Sequence, residues 1–334
     1  MRDRFNRKID YLRISLTDNC NLRCIYCMEE DSNNFYKKED KLTTDEIHKI
    51  VVQAAKLGIK KVRLTGGEPL VYPDILNLIK KINKIEGIEG IYLTTNGIFL
   101  EKYIKDFYEN GVKGVNISLD SLKADRFKEI TRRGDIAKVL SSIEKAIEIG
   151  IKVKINTVLM KGINDDEILD FVNLTKNKDI DVRFIELMPI GIGSTYKGLT
   201  SKEVQNKIKE NYKEIKGLDN LNLEGPAKYI KVDNNIGRVG FISPMSSCFC
   251  EECNRIRLTS EGFLKECLHF NYGIDLKDLI RKGATEDEVK LAIKKAIFEK
   301  PEKHDFLEKN KDKDLKFMNQ IGGEHGKSFS NMYK

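Results

Sequence analysis

Strand-like and helix-like segments alternate through the first two thirds of this 334-residue chain. Alternation of this kind predicts a parallel sheet with helices packed outside it, as a barrel or as a doubly wound fold. The predicted helices are Thr44–Leu57, Ile75–Ile85, Glu101–Asn110, Asp135–Ile149 and Asp165–Lys176. The predicted strands are Tyr11–Leu16, Lys61–Thr65, Gly90–Thr95, Gly114–Leu119, Lys152–Leu159 and Asp181–Leu187.

The polarity of the strands distinguishes between these two folds. In the first predicted strand Leu12 and Ile14 share one face, whereas Arg13 lies on the other. The next three strands alternate in the same way, the fifth is less regular, and the sixth is ambiguous because Arg183 and Glu186 fall on opposite faces. A closed eight-stranded barrel fills its interior with Val, Ile and Leu. Six strands with a polar interior therefore predict an α/β fold, an incomplete (βα)6 TIM-like barrel that holds a ligand.

Four cations fall on the polar faces of these strands. They are Arg13, Lys61, Arg63 and Lys154. Each one alone is compatible with a solvated or ion-paired side chain. Together in one cavity they would repel each other unless an anion lay among them, so the pattern favours an anionic substrate.

Cys20, Cys24 and Cys27 follow the first predicted strand within eight residues. Three thiolates can hold three corners of a 4Fe-4S cluster and leave the fourth iron open to a small molecule. A structural zinc site is the alternative, but zinc usually takes four ligands and no fourth lies in this run.

A second triplet consists of Cys250, Cys253 and Cys267. Here Cys248 or His269 could complete a zinc site, so zinc remains an alternative for this group. The chain has seven cysteines, and six of them fall into the two triplets. This distribution argues against thiols scattered for packing.

Unusual residues also follow other predicted strands, where barrel enzymes place their active sites. Gly66–Pro69 follows the second strand, Thr94–Gly97 the third, Ser118–Asp120 ends the fourth, and Met188 lies just past the sixth. Adjacent glycines allow close backbone approach to a ligand or simply form a turn. Several such features at one rim predict a binding site there.

The last third of the chain predicts a smaller unit. Two hairpins are expected, one pairing Tyr229–Val232 with Arg238–Ile242 and one pairing Ile256–Thr259 with Phe263–Cys267. Helices are expected at Ser201–Lys213 and Glu286–Phe298. We therefore expect a partial barrel over residues 1–222, a C-terminal domain over 223–323 and a flexible extension over 324–334.

Apolar segments, cysteines and net charge indicate where the protein is located and which partners it could bind. The N-terminal segment is charged and lacks the apolar core of a secretory signal, and no apolar run is long enough to span a bilayer. Cysteines kept as thiolates fit a reducing cytoplasm. The net charge of +7 permits an anionic partner but equally fits solvated charged faces.

Two of these motifs resemble the radical S-adenosylmethionine (SAM) superfamily: the C-x-x-x-C-x-x-C run and the Gly-Gly-Glu-Pro of Gly66–Pro69. The second triplet, followed by Asn254–Ser260, and Ile321–Gly323 near the end narrow the resemblance to the GTP 3′,8-cyclase family of molybdenum cofactor biosynthesis. The resemblance runs from about Arg4 to Gly323. It implies a barrel of the radical SAM type whose C-terminal domain carries a second Fe-S cluster.

The activity that the resemblance implies is cyclisation of GTP to (8S)-3′,8-cyclo-7,8-dihydroguanosine 5′-triphosphate, a lyase reaction that uses SAM and two 4Fe-4S clusters. The metal ligands would be Cys20, Cys24 and Cys27 for the first cluster and Cys250, Cys253 and Cys267 for the second. The SAM contacts would be Tyr26, Gly67, Ser118 and Met188. The GTP contacts would be Arg13, Arg63, Thr94, Lys154, Arg255 and Arg257.

The family also implies partners, namely GTP as substrate, a low-potential electron donor, and product hand-over to cyclic pyranopterin monophosphate synthase. We further expect a homodimer, with no nucleic acid and no membrane as partners. Two departures are Glu29, where the family commonly has proline, and Glu324–Lys334, which follows the terminal glycines. We expect Gly322-Gly323 to reach the cavity nonetheless.

Two other functions remain open at this point. One is a radical SAM enzyme that modifies a peptide and uses an auxiliary cluster, although such enzymes typically carry more C-terminal cysteines. The other is a zinc-stabilised nucleic-acid-binding module, which would show an exposed basic stripe rather than cations facing a cavity.

Overall fold

The computed structural model describes residues 1–32, 35–218, 225–247, 249–270 and 272–304. Within these residues a single sheet of 12 strands forms the centre of the molecule. Its middle consists of six strands, each pairing in parallel with the next along the chain, which confirms the predicted parallel α/β fold. These strands are β1 (Tyr11–Ser15), β2 (Lys61–Thr65), β3 (Gly90–Thr95), β4 (Val112–Ser118), β5 (Lys152–Val158) and β6 (Asp181–Ile185).

Helices connect these six strands, and further helices follow β6. The start of the first helix has a capping box, in which Thr43 and Glu46 exchange side-chain and backbone hydrogen bonds. The helix before β5 is capped at its start by Asp135 and at its end by Gly150, whose φ of 90° suits glycine. The helices are α1 (Thr44–Lys56), α2 (Ile75–Asn83), α3 (Ile104–Glu109), α4 (Ala124–Thr131), α5 (Ile136–Ile149), α6 (Ile168–Asn173), α7 (Ser201–Asn211), α8 (Leu276–Arg281) and α9 (Glu286–Phe298).

Six later strands extend the same sheet at both edges. The fourth of them pairs in parallel with β1, and the third pairs in parallel with β6. Both predicted hairpins are confirmed as antiparallel pairs. The C-terminal third therefore continues the central sheet. These strands are β7 (Ile215–Gly217), β8 (Lys228–Val232), β9 (Arg238–Ile242), β10 (Arg255–Leu258), β11 (Phe263–Lys265) and β12 (Gly273–Asp275).

Several expectations concern residues outside the described ranges. The boundary between residues 222 and 223, Cys248, the Gly322-Gly323 pair and the extension Glu324–Lys334 all lie there. The proposed domain limits and the path of the tail therefore stay predictions.

The sequence missed four elements, namely α4, α8, β7 and β12. The predicted helix Glu101–Asn110 is also wrong in form, because a 3-10 turn at Leu100–Tyr103 precedes the shorter α3. The missed elements are three to eight residues long. Elements this short give too few periodic positions for a clear pattern.

The apolar face of each strand forms the core. Leu12, Ile14, Val62 and Leu64 are fully buried in a continuous hydrophobic cluster with the surrounding helices. The opposite face of the strands carries the polar residues, as the alternation predicted. Among the described residues, none of the helices is both long and apolar enough to cross a membrane.

Candidate active site

The polar faces of the strands enclose a cavity of about 380 Å³. Its volume lies within the range typical of small-molecule sites. Met188 and the second cysteine triplet also line it. All six residues that the resemblance assigned to GTP are in its wall: Arg13, Arg63, Thr94, Lys154, Arg255 and Arg257.

Three arginines stand side by side across neighbouring strands. Arg257 on β10 is paired in register with Arg13 on β1, and Arg13 with Arg63 on β2. Burial lowers the pKa of Arg13 well below its usual range, and the adjacent Arg257 lowers it further. Burial also lowers the pKa of Arg257 to about 10, with repulsion from Arg255 adding to the effect. Such a row of like charges is costly unless an anion lies against it.

Several donors in this wall have no hydrogen-bond partner among the described residues. They are Nε of Arg13, Nε of Arg255, and Nε and Nη2 of Arg183. Buried donors left unpaired carry a desolvation cost, so they indicate a ligand that would accept from them. Arg63 differs, because its Nη1 donates to the Leu93 carbonyl at 2.9 Å.

Arg183 was missed as a site residue at the sequence level. It lies on β6, is buried, and lines the cavity. Its neighbours Val182 and Phe184 are buried in the core on the opposite face, so alternation centred on Arg183 would have found it. For Lys61 the prediction was wrong. Strand alternation placed it in the cavity, but it is absent from the described cavity lining.

Lys154 is held at one side of the cavity by a buried carboxylate. Its Nζ lies 3.3 Å from Asp181 Oδ2, while Arg238 makes a two-pronged contact with the same carboxylate at 2.7 and 2.8 Å. Burial lowers the pKa of Lys154 to about 8, with Arg183 acting in the same direction and Asp181 against it. Lys154 is thus a cation that titrates near physiological pH.

The loop with the first triplet packs tightly against the loop that follows β2. A Cβ atom on Gly66 would lie 2.4 Å from the Thr17 carbonyl oxygen, and one on Gly67 would lie 2.3 Å from that of Asn19. Only glycine permits this approach. The glycine pair, predicted to serve a ligand or a turn, therefore also brings the loop after β2 against the cysteine loop.

The side chain of Glu68 joins two loops of this rim. Its buried carboxylate accepts hydrogen bonds from Thr95 Oγ1 at 2.7 Å and from the backbone N–H groups of Asn96 at 2.7 Å and Leu70 at 3.0 Å. Burial raises the pKa of Glu68 to about 7, although these bonds oppose the rise. The loops after β2 and β3 are thereby fixed to each other.

The residues expected to contact SAM lie at the ends of different elements. Tyr26 donates its hydroxyl to Asp120 Oδ2 at 2.8 Å, and Asp120 Oδ1 accepts from the backbone of Val158 at 2.8 Å. Ser118 ends β4. Tyr26, Gly67 and Ser118 are not in the described lining of the 380 Å³ cavity, whereas Met188 is.

The second triplet borders the cationic wall. Burial acts to raise the pKa of the Cys253 thiol, but Arg255 and Lys300 outweigh it and lower the value to about 6. Arg7 donates to the Cys250 carbonyl oxygen at 2.8 Å and fixes this loop from outside. His269, the alternative zinc ligand, also lines the cavity.

The two cysteine triplets suit a metal cluster better than a single metal ion. The six cysteines of the two triplets are thiols outside any disulfide. In the part of the chain that the structure describes, no group of three His, Cys, Asp or Glu side chains could hold a single metal ion. A 4Fe-4S cluster binds each thiolate to a separate iron, so it needs wider spacing than one ion does. Two sets of three thiols fit two such clusters, each with one open iron.

Two protein-family models together match most of the chain. Residues 14–175 match the family model of the radical SAM superfamily, and residues 180–306 match that of Molybdenum Cofactor Synthesis C. Among solved structures, Streptococcus suis SuiB bound to S-adenosylmethionine is 16% identical, with a TM-score of 0.56 over 78% of this chain and 60% of that one. This structural likeness shows the fold alone.

Curated relatives cover this chain almost from end to end. A GTP 3′,8-cyclase of Clostridium perfringens is 58% identical over 97% of this chain and 100% of its own length. One from Alkaliphilus oremlandii is 47% identical over 97% and 100%, respectively. Identity at this level over whole chains, together with the two matched family models, establishes that the chain belongs to the GTP 3′,8-cyclase family of radical SAM proteins.

Proposed function

We propose that this chain joins C3′ and C8 of GTP in a radical SAM reaction. The observation that carries the proposal is the row of arginines on β10, β1 and β2, which shares one cavity with the second cysteine triplet. A polyanion that also presents a metal-binding base fits both features, and GTP is such a molecule.

The family uses SAM and two 4Fe-4S clusters, and the two sets of thiols suit them. We assign the first cluster to Cys20, Cys24 and Cys27, and the second to Cys250, Cys253 and Cys267. When bound, the first cluster with SAM supplies a hydrogen-abstracting radical, and the second supplies an open iron for the guanine.

The cations would bind and orient the nucleotide. Arg63, Lys154 and Arg183 line the cavity from β2, β5 and β6, so they would contact the triphosphate from three strands. Arginine suits phosphate because its planar fork donates paired, charge-assisted hydrogen bonds. Arg255 and Arg257 lie beside the second triplet, where they would hold the base end of the substrate.

The remaining assignments concern SAM and the ribose end. Tyr26, Gly67, Ser118 and Met188 would contact SAM, and Thr94 with Arg13 would contact GTP between the two clusters. The hydroxyl of Tyr26 is already oriented by Asp120 at 2.8 Å. A ring held in advance loses less freedom when SAM binds.

The test is an anaerobic assay of the reconstituted full chain with GTP, SAM and a low-potential reductant. We expect GTP to be converted to a cyclised isomer of the same mass, together with 5′-deoxyadenosine. With GTP deuterated at C3′, the deuterium should appear in the 5′-deoxyadenosine. Cleavage of SAM that is independent of GTP, with no GTP-derived product, would contradict the proposal.

A matched pair of lysines on β5 checks the substrate site. Lys154→Ala should weaken GTP binding, whereas Lys152→Ala, two residues earlier and exposed, should leave it unchanged. A peptide-modifying activity would instead be insensitive to both.

The proposal also covers the electron donor, the enzyme that receives the product, and the oligomeric state. A small low-potential electron donor would reduce the first cluster, and the cyclised nucleotide would pass to cyclic pyranopterin monophosphate synthase. A homodimer in the cytoplasm, with no nucleic acid or membrane partner, completes the proposal. Sedimentation of the reconstituted protein would test the dimer.

A further inference from the structure

The end of α4 has an arginine in an unusual backbone conformation. Arg132 follows the last helical residue with φ of 60° and ψ of −30°. Among the described residues, the other non-glycine residues with positive φ are Asn6 and Asp233. Asn and Asp tolerate this region, whereas a long side chain pays a steric cost there. Such a cost persists only where the surroundings enforce the conformation, and it often marks a functional position.

The side chain of Arg132 reaches the loop that carries the first cysteine triplet. Its Nη1 donates to the carbonyl oxygens of Arg23 and Met28, each at 3.2 Å. These two residues stand immediately before Cys24 and immediately after Cys27. One guanidinium group therefore bridges the two ends of the segment that presents both thiols.

The backbone of α4 supports the same segment. The Arg23 N–H donates to the Thr131 carbonyl at 3.0 Å, and the Ile25 N–H donates to the Ile130 carbonyl at 2.9 Å. The last carbonyls of a helix have no partner within the helix. Here the cysteine loop supplies the donors, so the end of α4 and the loop form one hydrogen-bonded unit.

A purely structural role as a helix end would not call for arginine. Glycine is the common residue at a positive φ after a helix, because it has no Cβ. The arginine at this position makes contacts that glycine could not make, and they go to the cysteine loop. The ion pair of Nε with Glu30, at 3.4 Å, also belongs to that loop.

We propose that Arg132 is a positioning residue for the first cluster: it bridges the carbonyls of Arg23 and Met28 and so holds Cys24 and Cys27 at the spacing that a cluster needs. The inference rests on the proposed function in one respect, the assignment of a cluster to the first triplet. It predicts that Arg132 controls how firmly that cluster is retained.

The experiment uses the full chain with Cys253→Ala, which removes the second cluster and leaves the first to be followed alone. Into this background we would introduce Arg132→Gly, Arg132→Lys and, as a control, Arg133→Gly at the neighbouring exposed arginine. Two quantities are measured anaerobically: the rate at which a chelator removes iron, and the thermal midpoint of the apo chain.

We expect Arg132→Gly to lose iron at least about fivefold faster, because two hydrogen bonds to the loop are gone. Its apo midpoint should stay close to that of the parent, since glycine relieves the backbone cost. Arg132→Lys should also release iron faster, because both carbonyl contacts come from Nη1 at the far end of the guanidinium group, and the lysine side chain is one atom shorter. Arg133→Gly should match the parent.

Different outcomes would overturn different statements. Iron release at the parent rate in Arg132→Gly, or full rescue by lysine, would overturn the bridging role. A large drop in the apo midpoint of Arg132→Gly would show a structural helix end instead. If the Cys253→Ala parent itself held no iron, the cluster assignment to the first triplet would fail, and with it the proposed function.

Discussion

The two cysteine triplets provide the same number of thiols in opposite electrostatic surroundings. In the first, burial raises the pKa of Cys20 to about 11, and burial with the nearby Cys27 raises that of Cys24 well above its usual value. In the second, Arg255 and Lys300 overcome burial and lower the pKa of Cys253 to about 6. In the free protein Cys20 and Cys24 therefore favour the neutral thiol, whereas Cys253 favours the thiolate at neutral pH.

This difference reflects what else each site must bind. The second triplet shares its cavity with the cations proposed to hold GTP, so the same positive charge acts on the cysteine and on the substrate. The first triplet is held by its neighbouring loops, through contacts such as that between Gly67 and Asn19. Charge therefore organises one site, and close packing with hydrogen bonds organises the other.

Removing one thiol from each triplet gives the largest expected contrast. Wild-type chain reconstituted without oxygen should hold about eight irons, and either Cys24→Ala or Cys253→Ala should lower this to about four. Only Cys24→Ala should abolish SAM cleavage, because only the first cluster serves SAM. Iron analysis and 5′-deoxyadenosine formation measure both effects. Wild-type protein that contained zinc and no iron would contradict the assignment of a 4Fe-4S cluster to each triplet.

Removing a cation from the second site should change two properties together. Arg255→Ala should weaken GTP binding by about ten- to a hundredfold, the loss of one charged contact. It should also raise the pKa of Cys253 in the apo chain, because Arg255 is the main group that lowers it. Equilibrium binding and the pH dependence of thiol alkylation follow the two changes.

At the first triplet, Arg255→Ala should change nothing. The alkylation profile of Cys20 should be the same in Arg255→Ala and in wild type. GTP binding by Arg255→Ala as tight as in wild type would show that this arginine does not serve the substrate.

A smaller effect should appear with pH. Because burial lowers the pKa of Lys154 to about 8, the free protein loses this charge as the pH rises through that value. Bound phosphate favours the charged form, so GTP affinity should be constant below the pKa and should fall above it, by at most about tenfold per pH unit. Lys154→Ala should remove that part of the dependence, whereas Lys152→Ala should keep it. An unchanged profile in Lys154→Ala would mean that another group titrates.

The smallest effect is expected at the first site. Asp120→Asn keeps the shape of the side chain but weakens its bond with the Tyr26 hydroxyl. SAM affinity should fall by about fivefold, the value of one modest hydrogen bond. Tyr26→Phe should cost about the same, and the double variant should cost no more than either one. Additive losses would show that the two residues act independently.

Much of this site could be predicted because strands alternate with a period of two. That period alone placed Arg13, Arg63 and Lys154 on one face, and the structure lines one cavity with all three. Lys61 has the same parity but lies at the start of β2, outside the described cavity lining. Periodicity assigns a face, and it does not say how far along the strand a cavity extends.

Other features depend on contacts that no local pattern encodes. Arg183 was ambiguous because Glu186 shares its strand-like run, although β6 ends before Glu186. The short α4 gave no clear periodicity, and the bonds from Arg132 to the cysteine loop span more than 100 positions. Contacts between residues so distant in sequence become visible only in the folded chain.

The position of β1 has a consequence for how the chain folds as it is made. β1 pairs with β2 on one side and with β10, a much later strand, on the other. The bond between Asn254 and Asp10 at the start of that pairing spans 244 positions. Until those residues leave the ribosome, one edge of β1 stays unpaired, and unpaired edges invite misassembly. Pairing over such distances is also slow. The cavity is therefore completed late in folding, when β10 brings the second cysteine triplet to the edge of β1.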